Sequence, residues 1–366
     1  MADVVLAYEK LFDFVNRTFR MIGFNADDAD IATTVLLSAD LRGVDSHGVA
    51  RLSGYLRLYE AGRINARPRF VVEHETPSTA LVDADAAVGL VAAPYAMKIA
   101  IDKARRAGTG WVCVKNSNHF GIAGYHAMLA LHHDMIGIAM TNASALVAPT
   151  FSVDKMLGTN PIAVAVPAKE EPPFVADFAT TTASNGKLEL LQRKGEPAPY
   201  GWVQDSEGNP STNARQLYDG GSMLPLGSDR EHGSHKGYAL GSIVDIFSAV
   251  LSGASYAPFA PPFPAYIPMP PVMYGQGLGH FFGAIRIDAF RPAAEFKHHM
   301  DNWMKHFRKA RTIKGYDKVL IPGDPERETE TERRKHGIPL PEKLYIELRE
   351  LGKKFSISID EGRQVL

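Results

Sequence analysis

Apolar residues recur every three to four positions along the first sixty residues, a spacing that predicts amphipathic helices. The first predicted helix covers residues 4–22. Asn25 can cap a second helix that continues to about Leu41, because a side-chain oxygen at this position can accept a backbone N–H of the first turn. A third helix is predicted to end near Glu60.

The pattern changes after about residue 70, where short apolar runs bounded by turn residues alternate with helical stretches. Strands are predicted in "STALVDADAAVG", "GWVCVKNSNHFGIAG", "MIGIAMTNAS", "PIAVAVPA" and "FVADFATT". Helices are predicted in "LVAAPYAMKIAIDKARRAG", "AGYHAMLALHHD" and "SHKGYALGSIVDIFSAVLSG". Alternation of this kind indicates an α/β fold. Residues 257–279 are too rich in proline for a regular element, so we expect a packed loop or a crossing to another subunit.

Composition narrows the class of protein. The 366 residues are 45% hydrophobic and 22% charged, as in ordinary globular proteins, and the net charge of −1 gives no basic excess for nucleic acid. Cys113 is the single cysteine and is expected to be a buried small hydrophobe, so a disulfide framework is excluded. The N-terminus lacks a secretory signal pattern and no stretch suits a membrane helix, so we expect a soluble, cytoplasmic protein.

The first candidate site is "DLRGVDSHGVARLSGYL", residues 40–56, where glycines interrupt a helical pattern around Ser46, His47 and Arg51. On a helix His47 and Arg51 share a face. An imidazole moves protons near neutral pH, and a guanidinium grips a carboxylate through two hydrogen bonds. A small substrate with a carboxylate beside a proton-exchanging group fits this pair. The plainer alternative is a helix-end histidine with Arg51 paired to an acid.

Two further stretches place polar residues after predicted strands, where α/β folds place ligands. His119 lies in the loop "KNSNHFGIAG" and Asp177 opens "DFATTTASNGK", whose backbone N–H groups suit phosphate or ribose. The alternatives are a buried, hydrogen-bonded histidine and a capping aspartate. The adjacent His132 and His133 are expected on the surface, and no metal-site spacing is present. The glycines of "GQGLGHFFG" miss the dinucleotide register, and no Walker motif occurs.

Seven motifs in order over nearly the whole chain resemble the type 2 malate/L-lactate dehydrogenase family. They are "RGVDSHGVARL", "SNHFGIAGYH", "LGTNPIAVAVP", "DFATTTASNGK", "HKGYALGSIVDIFSAVLSGASY", "GHFFGAIRIDAF" and "VLIPGDPE". The family also includes sulfolactate, ureidoglycolate and diketogulonate enzymes and a cyclic-imine reductase. The resemblance implies an oxidoreductase of small 2-hydroxy or 2-oxo acids, usually a homodimer, with NAD or NADP as cofactor and NAD favoured. Malate/oxaloacetate is the first choice of substrate, and lactate/pyruvate the next.

The resemblance also implies a fold and a domain division. A non-Rossmann NAD(P)-binding α/β domain with a largely antiparallel mixed sheet packs against a helical domain made of N- and C-terminal segments. The expected divisions are residues 1–70, with the Ser-His-Gly motif, residues 71–255 for the cofactor and catalytic domain, and residues 256–366 packing back on the N-terminal helices.

Site residues follow from the resemblance, motif by motif. His47 or His119 is the acid/base residue, Ser46 lies beside it, and Arg51 binds the substrate carboxylate. The cofactor contacts are Ala143, Ser144, Asp177, Phe178, Ala179, His235, Lys236, Gly323, Asp324 and Pro325, with no metal. Ser184-Asn185 and Asp324 depart from the residues common at those positions, near the expected adenosine end, which leaves NAD against NADP open.

Two other functions remain as rivals. One is a catalytically silent dinucleotide-binding protein that kept the fold. The other is a hydrolase using Ser46 and His47, which we expect to be excluded because neighbouring residues cannot aim their side chains at each other as a nucleophile-base pair.

Overall fold

The fold is described from a computed structural model of the chain, which describes residues 3–263, 268–359 and 364–365. The strands are β1 (Val4–Leu6), β2 (Val71–Glu75), β3 (Thr79–Ala87), β4 (Thr109–Ser117), β5 (Met135–Thr141), β6 (Ile162–Val166), β7 (Phe174–Phe178), β8 (Val203–Gln204), β9 (Pro210–Ser211), β10 (Ser222–Met223), β11 (Leu278–Arg286), β12 (Ile338–Leu340) and β13 (Gln364–Val365). The helices are α1 (Tyr8–Met21), α2 (Ala26–Leu41), α3 (Leu52–Glu60), α4 (Gly89–Ala107), α5 (Ala123–Met128), α6 (Asn185–Lys194), α7 (Ser234–Asp245), α8 (Ala293–Arg308), α9 (Asp324–His336) and α10 (Glu342–Phe355).

The predicted helices and strands are largely confirmed, with corrections at the N-terminus and in the second half of the chain. Asn25 caps α2 by accepting the N–H of Asp28 at 2.8 Å, as expected. The start of the first predicted helix is wrong, because residues 4–6 form β1, which pairs with β12 on one side and β13 on the other. Helices α6 and α8 were not predicted, and neither was β11.

The α/β fold is built around a mixed seven-stranded sheet with the strand order β2-β3-β4-β11-β5-β6-β7. In the described residues β3 and β4 pair in parallel, whereas the other neighbours in this sheet are antiparallel. The stretch that failed as a glycine fingerprint contains the start of β11, the middle strand. Its glycines permit close packing: a Cβ on Gly279 would lie 2.0 Å from the carbonyl oxygen of Ser248.

Three apolar cores lie within the described residues. The first joins the N-terminal helices to the C-terminal elements β12 and α10, so both ends of the chain share one core. The second lies between the seven-stranded sheet and α4 and α5. The third is smaller and packs beneath the short strands β8 and β10. Cys113 is only half-buried, which corrects the expectation of full burial, and desolvation raises the pKa of its thiol to about 12.

The Ser-His-Gly segment is two short 3₁₀ turns, Asp45–His47 and Val49–Arg51, between α2 and α3. The break comes from Asp40, whose buried carboxylate accepts the N–H of Val49 at 2.7 Å. A Cβ on Gly48 would lie 2.1 Å from Asp40 Oδ1, so only glycine fits there. Desolvation raises the pKa of Asp40 well above its ordinary value. Gly48 therefore allows the backbone to close over Asp40.

Replacing Gly48 by alanine should destabilise the fold by roughly 2–3 kcal/mol, because the added methyl overlaps the Asp40 carboxylate and breaks its bond to Val49. Asp40→Asn is the matched control, since the amide keeps an oxygen acceptor for the same N–H. Urea unfolding measures both variants. A Gly48→Ala protein within about 0.5 kcal/mol of the wild type contradicts this explanation.

Candidate active site

Two of the predicted histidines lie side by side. His47 comes from the first 3₁₀ turn and His119 from the loop after β4, and their rings stack with centroids 5.5 Å apart. The N-terminal segment therefore meets the sheet at His47 and His119, the two candidates for the acid/base residue that the sequence left open. Both side chains remain partly exposed.

His119 is held from several directions. Tyr55 Oη lies 2.7 Å from its Nδ1, and Phe263 packs 4.6 Å from its ring centroid. The neighbouring Asn118 anchors the loop by donating to the backbone carbonyls of Arg63, Ala86 and Ala87 at 3.0–3.1 Å. Oriented in this way, His119 has the geometry expected of an acid/base residue, with a second group fixing its ring.

Both rings are neutral at pH 7. Burial lowers the pKa of His47 to about 4, and the charge of Arg51 adds to the shift. Burial also lowers the pKa of His119 well below its ordinary value, helped by His47, Arg51 and His280. Once one of the two stacked imidazoles is protonated, protonation of the other is disfavoured further, because like charges at this distance repel.

Ser46 and His47 do aim at each other, which corrects the expectation that neighbours cannot. Ser46 Oγ lies 3.0 Å from His47 Nδ1, because the tight 3₁₀ turn folds the two side chains to one side. Helix α6 closes over this pair: a Cβ on Gly186 would lie 2.3 Å from the Cβ of Ser46. Ser184-Asn185, directly before Gly186, therefore lies next to the Ser-His-Gly motif.

Arg51 is fixed beside the histidines. Its Nε donates to the carbonyl of Ser46 at 2.6 Å, and its Nη2 lies 3.6 Å from Glu189 Oε2. Asn185 in turn donates to the other oxygen of Glu189 at 2.8 Å. Arg51 is thus paired with an acid, as the plainer alternative expects. The Nη1 atom of Arg51 has no hydrogen-bond partner among the described residues.

Phe263, in the proline-rich loop, connects this cluster to a predicted cofactor loop. Its ring packs on Tyr55 at 5.2 Å, and its N–H donates to Ser144 Oγ at 3.1 Å. The neighbouring Ala143 donates its N–H to Asn160 Oδ1 at 3.1 Å. The loop of Ala143 and Ser144 is thereby held close to His119. Residues 264–267 lie outside the described residues.

Asp177 lies at the end of β7 and accepts the N–H of Gly124, in the first turn of α5, at 2.7 Å. This is the capping arrangement that the sequence left open. Desolvation raises its pKa to about 6 against the effect of that hydrogen bond, although the residue keeps contact with solvent. Phe178 and Ala179 follow it, Phe178 exposed and Ala179 partly so.

The other predicted cofactor contacts lie on separate elements. His235 and Lys236 are in the first turn of α7, which has no side-chain cap, and Lys236 is exposed. Gly323, Asp324 and Pro325 form the start of α9, against β7. Asp324 is nearly fully buried, and hydrogen bonds from Arg308 and Arg327 outweigh its desolvation and lower its pKa to about 2.

Comparisons with known proteins decide the family. The family model described as malate/L-lactate dehydrogenase matches residues 6–349. The chain belongs to this family. It is 42% identical to a malate dehydrogenase of Pyrococcus abyssi, over 95% of this chain and 94% of that protein. It is 36% identical to a malate/(S)-sulfolactate dehydrogenase of Methanothermus fervidus, over 97% and 99% of the two chains.

The fold agrees with the same family. The solved structure of a malate dehydrogenase from Pyrococcus horikoshii OT3 matches with a TM-score of 0.89 and 37% identity, over 97% of both chains. The family membership makes this chain an oxidoreductase with a nicotinamide cofactor. In the described residues no three His, Cys, Asp or Glu side chains are grouped to hold a metal ion, and no helix is long and apolar enough to cross a membrane.

Sequence reasoning missed Tyr55, Glu189 and Phe263. Tyr55 stood among the apolar positions of α3, although it follows Arg51 by one helical turn, which was a usable signal. Glu189 and Phe263 come from segments far away in the chain, and no local spacing links them to His119.

Histidine titration by NMR tests the electrostatics of the pair. In protein labelled with ¹³C at histidine Cε1, we expect a midpoint near 4 for His47 and a midpoint for His119 well below 6.5, the ordinary value. The variants His47→Asn and His119→Asn assign the two resonances. A midpoint at or above 6.5 for either ring contradicts the lowering of both pKa values by burial and by the charge of Arg51.

Proposed function

We propose that this protein transfers hydride between NAD(H) and carbon 2 of a small 2-hydroxy or 2-oxo acid, with malate/oxaloacetate as the first choice. The observation that carries the proposal is the fixed guanidinium of Arg51 beside the His47–His119 pair. The Pyrococcus relatives, named as malate dehydrogenases, favour malate, and the Methanothermus relative keeps sulfolactate as an alternative. Lactate/pyruvate and cyclic imines are further alternatives.

Arg51 is proposed to hold the substrate carboxylate. Its Nε is occupied by Ser46, which sets the plane of the guanidinium, and its Nη1 is available within the described residues. Glu189 faces Nη2 at 3.6 Å, longer than a hydrogen bond, so a carboxylate can engage this edge without first breaking one. Ser46 and His47 then lie where they can hydrogen-bond the substrate.

His119 is proposed as the acid/base residue. For oxidation of the hydroxy acid we propose the tautomer with its proton on Nδ1, donating to Tyr55 Oη, which leaves the Nε2 lone pair to take the hydroxyl proton of the substrate. This tautomer gives up the long hydrogen bond, 3.4 Å, that the N–H of Gly121 donates to Nδ1. The same Nδ1–H bond persists when Nε2 is protonated, so the ring keeps its orientation in both directions of reaction. A bound substrate carboxylate favours the protonated ring, because opposite charges attract.

The residues predicted for the cofactor fit a dinucleotide in part. The exposed ammonium group of Lys236, in the first turn of α7, suits pyrophosphate oxygens. The N–H groups of Ser234 and Lys236 already donate to the carbonyls of Asp229 and Gly233, both at 2.8 Å. The bound nicotinamide supplies or accepts the hydride. Ala143, Ser144, Asp177, Phe178, Ala179, His235, Gly323 and Pro325 stay predicted contacts. Asp324 fits less well, since Arg308 and Arg327 already engage its carboxylate.

The domain assignment and assembly are also proposals. The largely antiparallel sheet without a G-x-G-x-x-G turn suits a non-Rossmann cofactor domain over residues 71–255, flanked by segments 1–70 and 256–366.

An exposed apolar face lies on α7 and on the helical turn Ile246–Val250 that continues it. It is formed by Ile243, Ile246, Phe247 and Val250, and faces of this kind mark interfaces. We propose that a second copy covers it in a homodimer. A cytoplasmic location stays a prediction.

A substrate panel with two variants tests the function. Purified protein is mixed with NADH or NADPH and oxaloacetate, pyruvate, sulfopyruvate, diketogulonate or a cyclic imine acid, and cofactor absorbance is followed. We expect fastest turnover of oxaloacetate with NADH. His119→Asn should lower kcat by about 10²–10⁴ because the proton donor is lost, whereas His47→Asn should mainly raise KM.

NADH binding by fluorescence is the control for both variants, and its Kd should stay within about twofold. If both variants keep near-wild-type turnover, the mechanism is wrong. If the protein binds NADH but turns over no substrate of the panel, the result favours a catalytically silent dinucleotide-binding protein over an enzyme.

Light scattering tests the assembly. The wild-type mass should be twice the 40.0 kDa of one chain, and Phe247→Glu should shift it towards one chain by placing a charge in the apolar face. A wild-type protein with the mass of one chain contradicts the dimer.

A further inference from the structure

His280 lies at the middle of the sheet, outside the residues given a role so far. It is fully buried on β11, and its strand neighbours are β4 and β5. Its Nδ1 lies 2.7 Å from Thr141 Oγ1 on β5, and its Nε2 lies 2.8 Å from Ser117 Oγ on β4. Both ring nitrogens are therefore satisfied by hydroxyl groups from opposite sides.

These two hydroxyls stand at the ends of the strands that lead into the site. Ser117 precedes His119 by two residues, and Thr141 precedes the loop of Ala143 and Ser144 by two. The ring of His280 also stacks on Phe120, the residue after His119, with centroids 4.9 Å apart. One imidazole thus contacts the loop of the proposed acid/base residue at Phe120 and the end of the strand that leads into the proposed cofactor loop at Thr141.

The donor and the acceptor in each of the two hydrogen bonds of His280 can be assigned. Desolvation lowers the pKa of His280 to about 3, so the ring is neutral and has one N–H and one acceptor. Thr141 Oγ1 reaches the carbonyls of Asn142 and Gly279 at 3.0 and 3.1 Å, to which its hydroxyl donates. Thr141 Oγ1 therefore accepts from Nδ1–H of His280, which leaves Nε2 without a proton. Ser117 Oγ lies 2.8 Å from this Nε2 and 3.4 Å from the carbonyl of Asn118, and its hydroxyl donates to the nearer acceptor, Nε2.

We propose that His280 is a positioning residue that sets the acid/base loop and the cofactor loop relative to each other through its two ring nitrogens. The inference rests on the proposed roles of His119 and of Ala143–Ser144. It predicts that the two sides of the ring have separable effects, one on turnover and the other on cofactor affinity. A histidine that only fills the core has no such division.

Two conservative substitutions separate the sides. The amide nitrogen of His280→Asn replaces Nδ1 and keeps the bond to Thr141, whereas the amide oxygen of His280→Gln replaces Nε2 and keeps the bond to Ser117. We expect H280N to lower kcat about tenfold with the NADH Kd within twofold. We expect H280Q to raise the NADH Kd about tenfold with kcat at saturation within threefold.

Ser117→Ala and Thr141→Val remove the same bonds to His280 from the hydroxyl side, and T141V also removes the donor to the carbonyls of Asn142 and Gly279. S117A should reproduce H280N, and T141V should raise the NADH Kd at least as much as H280Q, so the test holds even if a His280 variant fails to fold. Equal losses of kcat and affinity in each variant, or no change in any, overturn the inference. An inactive wild type instead refutes the proposed function, while the effect of T141V on NADH affinity still tests the cofactor side.

Discussion

The contact between the Ser-His-Gly segment and the loop after β4 is the constraint on which the site depends. It brings the ring of His47 against the ring of His119 and places the hydroxyl group of Tyr55, from α3, beside Nδ1 of His119. Neither loop is held by regular secondary structure at this point. Buried side chains hold them: Asp40 fixes the first through Val49, and Asn118 fixes the second through three carbonyls.

Charge at the site is sparse and balanced. Arg51 is the cation that touches the Ser-His pair, and Glu189 on α6 partly offsets it. Both imidazoles are neutral because burial and the charge of Arg51 lower the pKa of each ring. An incoming carboxylate changes this balance: it adds a negative charge next to Arg51 and makes a protonated His119 easier to reach. With the roles proposed for Arg51 and His119, substrate binding and proton transfer are coupled through simple electrostatics.

Helices and strands with a local hydrophobic pattern could be predicted from the sequence. Features that depend on contacts between segments far apart in the chain could not. The alternation of buried and partly exposed residues in β4 and β5 and the Asn25 cap could be read directly. Strand β11 could not, because glycines and the preceding prolines hid a strand buried on both faces. The motifs identified His47 and His119, but Glu189 and Phe263 join them only in three dimensions.

A crystal structure with NADH and oxalate, an unreactive 2-oxo acid analogue, tests the proposed roles of Arg51 and His119. We expect one carboxylate on the Nη atoms of Arg51 and the oxygen of the neighbouring carbon within about 3 Å of His119 Nε2, with the nicotinamide ring on the open face of the analogue. Oxalate bound away from Arg51, or an analogue oxygen that contacts His47 while His119 remains remote, contradicts these roles.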